Sequence, residues 1–451
     1  MKKIILIMLL VIVLAGASIA TWAYFAFLYT KPLNQAELAE LTPDWSLVTH
    51  GNWSPWFTKP DGTTEWNPAA SFNAWLATIP EADKAWPVMV DVQYAGYELY
   101  DNLEVGKFPE DVEDWAAMLA MCELDESREM IDRLKEALQR PMMGAVLYGG
   151  DIPVTPGTDD DPKYTSDPAE FAAIKKHGIE GVQFIESTNP NPNLLSVALP
   201  ALGKQRLMSA LYRTYGIYEL ERGNPDGFVE LVSISMDSAE IVPAIGTLVS
   251  QLVAIAIESH GNKTIAWALE HHPQAFTDEH LRTLDQLIAR HQNRTFLWQG
   301  EAISFHDSIR RTVDDKGALK MTGARTLQGG GGSFEIPTNL PDAALHPSAQ
   351  RVLYAYNHML AQAQAESSNA WIPNGLTSSQ IFDAQKSKMN QLGRLMFDML
   401  SPVLDRSSEG FRTHQQESAD LRMTIAAHRH ALRHGQSPEA NETIDEDLLP
   451  D

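Results

Sequence analysis

The stretch IVPAIGTLVSQLVAIAI, from Ile241 to Ile257, carries no charge, and its reading decides the fold. A helix that crosses a bilayer needs about 20 apolar residues, and this run falls short. Pro243 and Gly246 stand near its start, Ser250 and Gln251 in its middle, and Glu240 and Glu258 flank it. It predicts a buried central helix, with Leu252 in the core, rather than a membrane span.

Helical periodicity extends outward from it, from Leu195 to Val313. Leu207, Leu211, Tyr215, Tyr218 and Leu220 outline one helix, and Phe228, Leu231, Val232, Ile234 and Met236 a second. Gly223-Asn224-Pro225-Asp226 makes the turn between them, with Asn224 or Asp226 suited to cap the second helix. Thr277 opens a further helix striped by Leu281, Leu284, Leu287 and Ile288. His280 at the third position is not the Glu or Gln of a capping box.

Upstream, Asp111–Leu138 reads as helical and is stopped by Pro141. Gly149–Pro192 is rich in Pro, Gly and Asp and reads as a long loop, with a short helix at Pro168–His177 and a strand near Gly181–Ile185. Downstream, helices are expected at Ser348–Ala365, Ser378–Leu404 and Glu417–His434. The expected domains are a transmembrane signal-anchor at 1–30, a helical segment with a Trp/Pro-rich start at 31–148, and a long loop at 149–193. Next come a central helical domain at 194–316, a Gly-rich linker at 317–347, C-terminal helices at 348–435 and an acidic tail at 436–451.

The second apolar run lies at the amino end. Lys2 and Lys3 precede Ile4–Tyr29, which has no charge until Lys31. Ala15-Gly16-Ala17 and Ser18-Ile19-Ala20 would suit a signal-peptide cut. The run nevertheless stays apolar past them and ends in Trp22, Tyr24, Phe25, Phe27 and Tyr29, an interfacial aromatic cluster. An uncleaved single-pass anchor in the cell membrane is expected, with the two lysines inside and the body on the outer, periplasmic side.

The 451 residues carry a formal net charge of -24, so nucleic acid is not an expected partner. Cys122 is the only cysteine and sits in an apolar helical stretch, as a buried small hydrophobe would. The set Glu301, His306 and Asp307 combines carboxylate and imidazole near one helical face, the raw material of acid–base catalysis. His430 and His434 lie one helical turn apart and could face one metal ion. The competing reading is a basic, solvated helix end, where His and Arg suit the macrodipole. Asp159-Asp160-Asp161 lacks the pattern of a calcium loop, and Gly329–Gly332 lacks the Lys-Ser/Thr of a phosphate loop. No cofactor is expected.

The pair of helices around Tyr215-Gly216, Tyr218 and Gly223-Asn224-Pro225-Asp226, with Gly227 where Ala is usual, resembles one tetratricopeptide-type hairpin over 207–240. That resemblance implies partner binding. Gly223–Gly227, Leu248–Ile257, Gly300-Glu301-Ala302 with Phe305 and Asp307, and an ending with Arg422, Ala426, His434-Gly435, Pro438 and Leu448-Leu449-Pro450 resemble a group of exported, membrane-anchored, mostly helical bacterial proteins. The ending is also similar to the segment after the long helix of pilin-like proteins, with Ser437 in place of an aromatic. The resemblance implies location and architecture and carries no activity. The expectation is a mainly α protein, an N-terminal transmembrane helix followed by an irregular helical-hairpin, solenoid-like body. It would serve as a scaffold or protein-interaction module with the membrane and an envelope protein as partners. The alternatives are an envelope hydrolase using Glu301, His306 and Asp307, and a metal-binding sensor using His430 and His434.

Overall fold

The computed structural model describes residues 34–36, 68–95, 106–146, 148–149, 163–165, 167–184, 197–198, 200–241, 247–292, 301, 304–305, 349–367, 378–389, 394, 402–435 and 448–449. Within them the protein is mainly helical, with twelve α-helices and two small two-stranded sheets. The chain forms two compact units. The larger comprises Gly51–Pro192, Val197–Leu297 and Gly410–Asp451, the smaller Met1–His50, Asn193–Ser196 and Trp298–Glu409.

Five helices begin the larger unit: α1 (Pro68–Leu76), α2 (Trp86–Ala95), α3 (Trp115–Glu123), α4 (Asp125–Leu138) and α5 (Pro168–Lys176). The helical region expected over Asp111–Leu138 is two helices. Leu124 takes an extended conformation between them, Asp114 caps α3 by accepting from the Ala117 N–H at 2.9 Å, and Asp125 and Glu126 supply negative charge to the first turn of α4. Trp86, Met89 and Val90 of α2 pack with Met130, Ile131 and Leu134 of α4 and with Cys122. The long-loop stretch holds the expected helix as α5, capped by Asp167, and the expected strand as β3 (Val182–Phe184). β3 runs parallel to β2 (Lys163–Thr165), a pairing that needs a crossover, and α5 provides it. β1 (Tyr148–Gly149) and β4 (Val197–Ala198) pair antiparallel.

The rest of the unit is built on α6 (Pro200–Glu221), α7 (Pro225–Ile241), α8 (Leu248–His271), α9 (Asp278–Gln292) and the part of α12 (Pro402–His434) from Gly410 onward. α6 serves two cores. Met208, Leu211, Tyr215 and Tyr218, at three- and four-residue steps, face the α2–α4 core. Ile217 and Leu220 join Phe228, Met236, Ile265, Leu284, Ile288, Leu421 and Ile425. Asn224 both ends α6 and starts α7. Its N–H reaches the Glu219 carbonyl at 2.9 Å while Gly223, at φ +75°, donates to Leu220, a Schellman closure; its side chain then accepts from the Gly227 N–H at 3.2 Å.

The charge-free run is not one helix. Ile241 ends α7, and Thr247 caps α8 by accepting from the Ser250 N–H at 3.2 Å. α8 continues past Ile257 through Glu258, Lys263 and Glu270, so it resembles no membrane span; its buried face holds Gln251, Ala254, Ile257 and Glu258, whereas Leu252 is half-buried. At the start of α9, Thr277 and His280 do form a reciprocal box. The Thr277 N–H donates to His280 Nδ1 at 3.2 Å, and the His280 N–H to Thr277 Oγ1 at 3.3 Å, the imidazole standing in for the carboxylate.

In the smaller unit, α10 (Ala349–Ser367) packs with α11 (Ser378–Lys386), and the Phe305 ring stacks on Tyr356 with centroids 3.7 Å apart. The helix expected over Ser378–Leu404 ends at Lys386, and α12 begins at Pro402, well before Glu417. Among the described residues no helix is long and apolar enough to cross a membrane. The 1–30 anchor, the 317–347 linker and Asp159–Asp161 lie outside the described residues.

Buried Arg213 of α6 ties α8 to the segment before Pro109. Its guanidinium donates to the carbonyls of Gly106 (2.6 Å) and His260 (3.1 Å) and to Thr264 Oγ1 (3.0 Å), and it stacks over Phe108. Burial pushes its pKa down to about 10. Gly106 sits at φ +82°, and a Cβ there would lie 2.5 Å from the Ala210 Cβ. Gly223 also has positive φ but faces open space. Gly223→Ala is expected to lose about 1–2 kcal/mol from backbone strain alone. Gly106→Ala should lose about 2–4 kcal/mol, strain plus overpacking. Denaturant melts of the two variants check this; equal losses would mean that the α6 surface does not hold the Gly106 segment closely.

Candidate functional site

A cavity of about 620 Å³ opens in the larger unit between α1, α2, α4 and α5. Its walls are mostly apolar, with Leu76, Trp86, Val88, Val146 and Ala172 among them, and charged groups converge on it. Such a combination is the usual form of a small-ligand site. Among its lining residues there is no Ser, Thr, Cys or His.

Asp91 of α2 organises one side. Its carboxylate accepts from Lys176 Nζ at 2.7 and 2.9 Å, from the Arg133 guanidinium, and lies 2.8 Å from His177 Nε2. Burial pushes its pKa up, but the hydrogen bonds from Lys176, Arg133 and His177 outweigh burial and hold it well below the usual carboxylate range. Asp91 thus gathers three basic side chains, while the lining as a whole balances Glu81, Asp91 and Asp167 against Lys84, Arg133 and Lys176.

Asp167 lies deeper. It caps α5 through the N–H groups of Ala169 (2.8 Å) and Glu170 (3.1 Å) and accepts from Trp86 Nε1 at 2.6 Å. Burial raises its pKa, partly countered by these donors. Its lone pairs are committed to the fold, which makes it a structural carboxylate.

A second polar centre lies where α7, α8, α9 and α12 meet. Glu258 has no exposure; its Oε1 is 3.2 Å from His291 Nδ1 and its Oε2 3.0 Å from His414 Nε2. The other ring nitrogen of His291 is 3.2 Å from Asp237 Oδ1, and Arg290 pairs with both Asp237 and Glu240. Ligand atoms of Asp237, Glu240 and His291 all fall within 4.8 Å of one another.

Neither centre contains a residue that the sequence marked. Glu301 accepts from the Tyr356 hydroxyl at 3.2 Å in the smaller unit, while His306 and Asp307 lie outside the described residues. The His430 and His434 rings lie tilted against each other with centroids 4.3 Å apart, and no third ligand joins them among the described residues. Nor is their helix face simply a solvated basic end. His430 and Arg429 are buried, and Arg429 Nε donates to Asp278 at 2.8 Å, as Arg422 does to Asp285. Cys122 is buried, and burial, with Glu219 and Glu123 adding to it, pushes its thiol up to about 12. The one local signal for the second centre was Glu258, the first charge after a long uncharged run.

Because the folded Asp91 pKa is depressed, its contribution to stability is full above the ordinary carboxylate range near 4 and is lost as pH falls through the folded value. Asp91→Asn should therefore cost about 1–2 kcal/mol at pH 7, discounted for the exposed Lys176 partner. Its deficit relative to the parent should shrink below about pH 4. Thermal melts from pH 7 to pH 2 check this; a deficit independent of pH would contradict it.

No family model, curated protein or solved structure matches the chain.

Proposed function

We propose that the protein is a single-pass envelope protein that works by binding rather than catalysis, with the cavity beside Asp91 as its binding site. The apolar run Ile4–Tyr29 behind Lys2 and Lys3 supports an anchor in the cell membrane with the body on its outer side. The α6–α7 hairpin, with α8 packed on both, supports the solenoid-like, partner-binding reading of the body. The observation that carries the proposal is the cavity: mostly apolar walls, and a charged side where Lys176 and Arg133 face a carboxylate they can exchange for another. Its occupant is a segment of an envelope protein that places an apolar side chain inside and an acidic group against Lys176.

A photo-crosslinking residue at Val88 should capture an envelope protein in living cells, and Lys176→Glu should cut the yield several-fold by turning attraction into repulsion. Absence of any adduct at matched protein levels would sink the reading. A reporter fused after Asp451 should be active only outside the cytoplasm. Glu301→Gln keeps a carbonyl to accept from Tyr356, so it should complement a deletion strain and leave the melting temperature within about 2 °C, a shift of under 1 kcal/mol. Loss of function in that variant with an unchanged melt would instead favour the hydrolase.

A further inference from the structure

We propose that Asp237, Glu240 and His291 form a binding site for a divalent transition ion, zinc by preference. Asp237 and Glu240 are three residues apart on α7 and so share a face, and His291 comes from the last turn of α9. Their ligand atoms lie within 4.8 Å of one another, so rotamer shifts of the two exposed carboxylates would bring all three onto a single ion. Two carboxylates and one imidazole form a donor set used for zinc and its neighbours, whereas calcium and magnesium take oxygen alone.

The imidazole carries the argument further than the acids do. His291 is buried, and both its nitrogens face carboxylate oxygens at 3.2 Å, Nδ1 towards Glu258 and Nε2 towards Asp237. A neutral imidazole has one N–H. With Nδ1 donating to Glu258, Nε2 is the nitrogen that would turn its lone pair to an ion, and it already lies on the Asp237 side. Metal-bound histidines usually hand their second N–H to a carboxylate in this way, which fixes the tautomer and strengthens the ligand. Glu258 is held in turn by His414, so the orientation is set from within the core.

Arg290 stands where the ion would go. Its guanidinium pairs with Asp237 and lies 3.7 Å from Glu240, on a side chain that is 54% exposed. An exposed pair of this kind is weak and easily exchanged. The site thus has two closed forms, one held by Arg290 and one by the ion, and either fastens α7 to α9.

The test uses the full chain, stripped with chelator and dialysed against Zn²⁺, with bound metal and melting temperature both measured. One Zn²⁺ per chain and a raised melting temperature are expected. Glu240→Gln and Asp237→Asn alter exposed side chains and should fold normally yet lose the metal-induced shift. Glu258→Gln should weaken binding about 10–100-fold, and Arg290→Gln should tighten it. The double variant His430→Ala/His434→Ala should bind as the parent does. Failure of both the parent and Arg290→Gln to bind Zn²⁺ would overturn the proposal. So would loss of binding only in the His430/His434 variant, or Ca²⁺ binding as tightly as Zn²⁺.

Discussion

Glu258 has no exposure to solvent, and four helices are committed to the network around its carboxylate. An isolated charge in that position would cost several kcal/mol or more, so a buried carboxylate persists only with partners on its oxygens. α9 delivers His291 to one oxygen and α12 delivers His414 to the other. α7 is bound in through Asp237 on the far side of His291. Losing His291 or His414 would strand a Glu258 oxygen in a dry interior, whereas Asp237 is half exposed and closes the network at the surface. The network therefore specifies how the helices meet, while Leu284, Ile288, Leu421 and Ile425 supply the apolar burial that drives them together.

Arg213 has the same logic with the opposite sign. Among the described residues no carboxylate is its hydrogen-bond partner; its donors go to two backbone carbonyls and a threonine hydroxyl, and its face rests on Phe108. The chain at Gly106 has to approach α6 closely for this to work, and a side chain there would not fit. Two buried ionic groups on adjacent helices are thus each satisfied by partners distant in sequence.

The cavity beside Asp91 stands apart from both. Its charged side is more exposed and its ion pairs are more open to exchange, and its mostly apolar walls are placed by the α2–α4–α5 packing. The larger unit thus combines buried polar networks with a charged, mostly apolar cavity. For the binding role proposed for this cavity, rigid walls would lower the ordering cost and the surface charges would tune specificity.

Local chemistry was legible in the sequence. The helical class, the Gly223-Asn224 turn, the cap at Thr277, the helix from Pro168 and the strand near Val182 follow from periodicity and turn residues, which act over a few positions. The break at Leu124 and the split of the Ile241–Ile257 run were missed because an apolar run looks alike whether one helix or two cross it. Asp91 meeting Lys176, and Glu258 meeting His414, were not legible at all: those partners are 85 and 156 residues apart. By itself the sequence determined that the chain is mainly helical, strongly acidic and led by an apolar run. Only tertiary packing decided which few of its many carboxylates are buried, because the need to satisfy a buried charge is met by residues that share no local pattern.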